Sequence, residues 1–126
     1  MLSAISAGGV VGALARYWLS VLLPHTPGEW PMATWVTNVS GCLLIGVLML
    51  LITEVWPNQR LLRPFLGVGV LGGYTTFSTA MLDVRALVAA GRPGLGLLYL
   101  GGTVAAAVVA VAAGWLGARA AVAAVR

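Results

Sequence analysis

The chain has 126 residues, 60% of them hydrophobic and only 8% charged, with a formal net charge of +4. An ordinary soluble domain carries about 25% charged residues, so this composition excludes one and leaves little chain for anything outside a membrane. The basic residues are all arginine and sit scattered at the ends of apolar runs, which argues against a nucleic-acid-binding face.

Four runs organise the chain. Residues 2–23 contain one charge, Arg16, and residues 32–53, 65–82 and 94–118 contain none. Each is about long enough for the roughly 20 helical residues that cross a hydrocarbon core of about 30 Å. Proline marks the joints: Pro24, Pro27 and Pro31, then Pro57 and Pro64, then Pro93. The expected fold is an all-α, multi-pass protein of the cell membrane. Residues 1–126 form a single four-helix transmembrane domain, with helices near 2–23, 32–56, 61–90 and 94–120. The first run has no basic residue ahead of its apolar part and carries Arg16 within it, so it does not read as a cleavable signal peptide.

In the first run, Gly8, Gly12 and Arg16 recur at four-residue spacing and form a face of small residues ending in a charge. Arg16 either snorkels to the interface or stands as a fixed positive charge in a water-filled vestibule. In the second run Asn38 and Gly41 share a face, with Cys42 and Ile45 beside them. Asn38 either bridges two helices by a hydrogen bond or offers its amide to a passing anion. Cys42 has no partner in the chain for a disulfide and reads as a small buried apolar residue.

The third run holds the most informative stretch. Gly73-Tyr74-Thr75-Thr76-Phe77-Ser78-Thr79 lies where a lipid-facing helix should be most apolar. In lipid every backbone N–H and C=O must find a partner within the protein, so a hydroxyl-rich stretch behind a double glycine belongs where backbone is buried or lines a polar path. A helix break near 72–79 that handles a small polar or charged species is expected.

The fourth run repeats Gly102, Ala106, Ala110, Gly114 and Ala118 at four-residue spacing, a smooth face for close helix packing. Tyr99 and Thr103, four residues apart, place two hydroxyls on one face. Thr103 has the alternative of bonding back to its own helix.

No carboxylate lies deep in a run: Glu29 is in a joint, Glu54 ends the second run, and Asp83 follows the break. A small proton-coupled cation exporter would need a buried acid. The polar groups here are donors, which suits an anion. His25 stands alone in a joint and no nucleophile–base pair is visible, so an enzyme is not indicated. Arg60, Arg63, Arg119 and Arg126 fall on one side of the bundle, and Arg16, Arg85 and Arg92, with His25, on the other. This near balance predicts insertion in both orientations and antiparallel pairing, unless the insertion machinery reads other features.

Three ordered motifs now carry a resemblance. Gly8-Gly9-Val10-Val11-Gly12-Ala13-Leu14-Ala15-Arg16-Tyr17 resembles GGxxGAxxRY, residues Asn38 to Gly46 resemble NxxGxxxxG, and Gly72 to Thr79 resemble GGxTTFST. In this order and spacing the chain is similar to the small fluoride channels of the CrcB/Fluc family. The resemblance implies an antiparallel dimer of four-helix subunits that lets fluoride leave the cytoplasm passively. It implies a structural sodium ion (Na+) at the dimer centre, not transported, held by the backbone carbonyls of Gly72 and Thr75. It implies a fluoride pathway along Asn38 and Phe77, with Arg16 in the vestibule and Ser78, Thr79, Tyr99 and Thr103 as hydroxyl donors. Ring edges are electropositive and can receive an anion.

One position departs from the family. Its motif continues to a second phenylalanine, where this chain has Ala80. A homodimer would lose half of its aromatic pore residues. The chain then conducts with one ring per pore, conducts poorly, or works as a heterodimer with a related subunit. The competing readings are a small multidrug-type antiparallel transporter, which the missing acid in the first run opposes, and a non-conducting subunit of a larger channel or complex.

Overall fold

A computed structural model describes residues 1–126, helical throughout and without strands. Four segments are long and apolar enough to cross a membrane, as the four runs require, and the chain is a multi-pass membrane protein. Helix α1 spans Leu2–Leu22 and α2 spans Met32–Leu50, with a wider continuation over Leu51–Val55. The third span is divided. Its first part, α3, covers residues 63–74, Thr75 is extended (φ −81°, ψ 155°), and α4 covers Ser78–Ala89. Helix α5 runs over Pro93–Val125, five residues beyond the expected end.

The break is narrower than the expected 72–79. Helical backbone persists through Tyr74 and resumes at Ser78, so three residues carry the interruption. The winding also differs from a simple α-helical reading. Leu51–Val55 and Arg63–Leu71 are π-helical, a form common only as short bulges. Pro64 has no amide hydrogen for the ladder, and Gly67 and Gly69 place no side chain in the way of the wider turn.

Glycine decides which helices touch. A side chain at Gly8 or Gly12 would strike the α3 backbone at Phe65 and Val70, and one at Gly73 would strike Gly9. Thus α1 lies backbone to backbone on α3. A side chain at Gly46 would strike the Val111 carbonyl, and one at Gly114 the Leu43 carbonyl, so α2 and α5 meet in the same way. Without a hydrophobic drive in lipid, such close approach is what holds helices together. The small-residue faces read from the sequence therefore pack as expected, at Ala110 and Gly114 above all, both buried.

Both turns at one end are fixed by positive-φ glycines, Gly28 (φ 91°) and Gly91 (φ 78°). Gly91 closes α4 with a paired C-terminal motif, its amide donating to Val88 O (3.0 Å) and the Arg92 amide to Leu87 O (2.9 Å). The Arg92 guanidinium then donates to Gly28 O at 2.7 Å and ties the two turns together. In the first joint the Thr26 amide and hydroxyl hold the Glu29 carboxyl below its usual range. At the other end Arg126 donates to Glu54 O (3.3 Å).

Candidate functional site

The break is held open by two side chains that each take an amide away from the helix. In a continuous helix the Thr76 amide would donate to the Gly72 carbonyl four residues back. It donates instead to Asn38 Oδ1 at 2.8 Å, while Asn38 Nδ2 donates to Thr76 O at 2.8 Å. Both partners are backbone groups of fixed sense, so the Asn38 amide has only one workable orientation. The Thr79 amide, which helix continuity would send to Thr75 O, goes to Thr76 Oγ1 at 3.3 Å. The carbonyls of Gly72 and Thr75 are thereby released from the ladder.

Of the two sequence readings of Asn38, the helix-bridging bond is therefore made. One N–H of its amide is engaged by Thr76, and the second makes no hydrogen bond within the chain. Asn38 is buried on α2, and that free N–H belongs to a residue lining two cavities.

Three cavities meet at Thr76. The first, about 290 Å³, is lined by Arg16, Tyr17, Ser20, Thr34, Thr37 and Thr79 among others, a wall rich in hydroxyls with one cation. The second, about 450 Å³, opens on the other side and brings Asn38, Thr76, Phe77 and Thr103 together with Gly72 and Thr75. The third, about 80 Å³, joins Asn38, Phe77 and Thr103 to Tyr99 and Ala80. Thr103 Oγ1 is buried and has no hydrogen-bond partner. The back-bond to its own helix is not made, and an unpaired buried hydroxyl costs about 1–3 kcal/mol unless something arrives to pair with it.

The other expected residues fall as follows. Phe77 is 77% exposed, with its ring edge available to whatever covers this face. Ser78 lies outside these cavities and only approaches Thr76 Oγ1, at 3.5 Å. Thr79 accepts a hydrogen bond from Thr76 Oγ1 (3.2 Å) and faces the Arg16 cavity. Tyr99 is fully buried, and its hydroxyl donates to Asp83 Oδ2 at 3.3 Å. That hydrogen is spent, so Tyr99 presents a lone pair and not a donor to the small cavity. Arg16 reaches Thr75 O at 3.5 Å from within the hydroxyl-lined cavity, so it turns inward and does not snorkel outward.

Sequence reading missed Thr34, Thr37 and Ser20 in the first cavity and the Ser40–Tyr74 hydroxyl pair (2.8 Å) that ties α2 to α3. The signal existed: Thr34, Thr37, Asn38 and Gly41 recur at helical spacing as a polar stripe on α2. Ala80 lines the smallest of these cavities beside Asn38, Phe77 and Thr103. It is 5% exposed, packed with Leu87 and Tyr99.

Carbonyls released from the ladder are the donor type a hard cation takes, and of the two Gly72 O is free while Thr75 O accepts a long bond from Arg16 at 3.5 Å. Gly72 is exposed, and a Cβ built on it would meet nothing nearer than Gly67 O at 3.8 Å, so an ion has access. The fit is incomplete within one chain, since two carbonyls are fewer than a cation's usual complement.

Comparison with known proteins adds the following. Residues 3–115 match the family model described as CrcB-like protein, Camphor Resistance (CrcB). The chain is 55% identical over 114 residues to the fluoride-specific ion channel FluC 2 of Nocardia farcinica, covering 90% of this chain and 81% of the relative. It is 50% identical over 121 residues to FluC 1 of Streptomyces coelicolor, covering 96% and 77%. It is 48% identical over 113 residues to FluC 2 of Thermobifida fusca, covering 90% and 84%.

Proposed function

The chain belongs to the CrcB family, and from that premise we propose that it is a fluoride-specific channel that lets the anion leave the cytoplasm passively, converting no substrate. The observation that carries the reading is the unpartnered Thr103 hydroxyl beside the free N–H of Asn38 and the edge of Phe77. Fluoride is small and strongly hydrated, and it enters a protein only where fixed donors replace its water. The hydroxyl-lined cavity around Arg16 draws the anion in by charge. Asn38 and Thr103 then hold it past the break, with the positive end of α4 directed at Phe77. Of the chain's three acids only Asp83 stands close to this route, with its carboxylate accepting from the Tyr99 hydroxyl.

Phe77 stands exposed and the cavity beside it is open on one side, so a second subunit completes the path. We read an antiparallel dimer with sodium at its centre, the Gly72 and Thr75 carbonyls of each subunit supplying oxygen ligands. When bound, the ion cross-links the two breaks; it takes no part in carrying fluoride. The relatives' names are numbered FluC 1 and FluC 2, which supports genomes holding more than one such chain. With Ala80 in place of a second ring, a heterodimer with a related subunit is the favoured assembly.

The test is efflux from liposomes loaded with fluoride or chloride, with a potassium ionophore clamping the voltage. Fluoride should leave much faster than chloride with this chain, alone or together with its related subunit. Equal rates for the two anions in both preparations would overturn the reading.

A further inference from the structure

Asn38 holds the far edge of the break, at Thr76, and the near edge has a holder of its own. Tyr74 is the last helical residue of α3, immediately before the extended Thr75. It is gripped from two sides. A Cβ on Gly12 of α1 would stand 2.7 Å from the Tyr74 backbone nitrogen, and a Cβ on Gly41 of α2 would meet the Tyr74 ring at Cδ1, 3.3 Å away. The ring therefore lies flat on the bare backbone of α2, and its hydroxyl reaches Ser40 Oγ at 2.8 Å. The sense of that bond is fixed. Ser40 has one hydroxyl hydrogen and donates it to Thr37 O at 3.2 Å, so Tyr74 is the donor in the pair.

We propose that Tyr74 and Ser40 are positioning residues for the break, the Tyr74 hydroxyl fixing its near edge on α2 as Asn38 fixes its far edge. Tyr74 and Thr76 flank Thr75, so α2 grips both neighbours of the extended residue. One clasp fixes a point and leaves Thr75 free to turn about it; two fix its direction as well. The Thr75 carbonyl and the Thr76 backbone beside Asn38 are set by that direction. Tyr74 fills the open position of GGxTTFST, and Ser40 fills an open position of NxxGxxxxG. Neither motif supplies this bond, and it belongs to this chain. The proposal rests on the channel reading only through its effect on flux.

Tyr74→Phe keeps the ring on Gly41 and removes only the donor. Amide hydrogen exchange in the threonine-labelled channel, followed by NMR in detergent micelles, reads opening at Thr76 directly, with Thr103 on α5 as the internal reference. In Tyr74→Phe and in Ser40→Ala, Thr76 should exchange about 2- to 12-fold faster than in the parent, the factor that one net hydrogen bond supplies, while Thr103 keeps its rate. Adding Ser40→Ala to Tyr74→Phe should change nothing further, because the two act as one unit. Ser40→Thr keeps the hydroxyl and should exchange like the parent. Fluoride efflux from liposomes should fall at least about twofold in each single variant, with the dimer intact. A parental Thr76 rate in Tyr74→Phe, or an equal acceleration at Thr103, would overturn the proposal and leave Tyr74 as packing alone. So would full additivity of the two substitutions, or parental efflux from a chain whose Thr76 exchanges faster. A parent that releases no fluoride, alone or with a related subunit, fails the channel reading instead, and the exchange rates then still decide the clasp.

Discussion

Replacing Asn38 with alanine removes both halves of the clasp on Thr76, two hydrogen bonds of 2.8 Å each. Had neither Thr76 group another partner, each would cost about 1–3 kcal/mol. One has an alternative. The Thr76 amide can return to the Gly72 carbonyl, the bond it would make in a continuous helix. The broken conformation then strands both groups, about 2–6 kcal/mol in all, while the rewound helix recovers the amide, so the broken population should drop at least about 30-fold. The Asn38 donor in the pathway disappears at the same time. Asn38→Asp separates the two effects. Its carboxylate still accepts from the Thr76 amide, but it cannot donate to Thr76 O and carries the charge sign of the permeant ion. Fluoride efflux from liposomes should fall in both variants, and further in the aspartate, while both elute as dimers. An alanine variant that elutes normally and matches the parent in flux would show that the clasp has no part in conduction.

Other substitutions probe separate parts of the argument. Phe77→Ile keeps bulk and removes the electropositive edge, and should cut fluoride flux at least about tenfold, equivalent to about 1.4 kcal/mol in the barrier, with the dimer intact; a variant conducting like the parent removes the ring from the path. Ala80→Phe places a ring into a buried cluster with Leu87 and Tyr99, and should lower thermal stability by about 1–3 kcal/mol; an unchanged melting temperature with higher flux would show that the ring has room. Gly114→Leu drives a side chain into the Leu43 carbonyl of α2 and should abolish recovery of monodisperse protein, while Gly117→Leu, with nothing within 4 Å, should be recovered normally; equal recovery of the two would refute the backbone-contact reading. If sodium sits on backbone oxygens, Thr75→Ala should keep a sodium-dependent rise in melting temperature. Gly72→Val should lose it by crowding, since Gly72 has ordinary helical angles (φ −63°, ψ −38°) that valine accepts; loss in the alanine variant would point to the hydroxyl instead.

What the sequence made legible was whatever depends on spacing along one helix. Charge-free runs gave the spans, proline gave the joints, and four-residue repeats of glycine and alanine gave the faces that touch. The double glycine before the threonines located the break. What it hid depends on contacts between helices. Nothing in residues 72–79 says that Asn38, 38 residues earlier, takes the Thr76 amide, so the extent of the break was overdrawn. Spacing along α5 shows a Tyr99 hydroxyl but not that Asp83, 16 residues away on the neighbouring helix, takes its hydrogen. Motif position does not tell that Ala80 is buried against Leu87 and Tyr99 while it lines the small cavity. The π winding of Arg63–Leu71 was invisible because apolar spacing there fits several turns equally well.

The pairing of helices has a consequence for how the chain is made. Neither glycine-mediated contact joins consecutive spans: α1 lies on α3, and α2 lies on α5. On the ribosome α2 emerges with Thr34 and Thr37 able to face Arg16 and Ser20 of α1, but Asn38 and Ser40 wait for the break to be synthesised before they can reach Thr76 and Tyr74. The glycine face of α2 waits longer, until Gly114 is made. Sequence separation of this kind slows assembly, and it gives the nascent protein an exposed interval in which Asn38 and Ser40 sit in lipid unpaired. A ribosome-bound chain ending after α4 lacks the α5 face that packs on Gly46 and should be held by the insertion machinery or degraded.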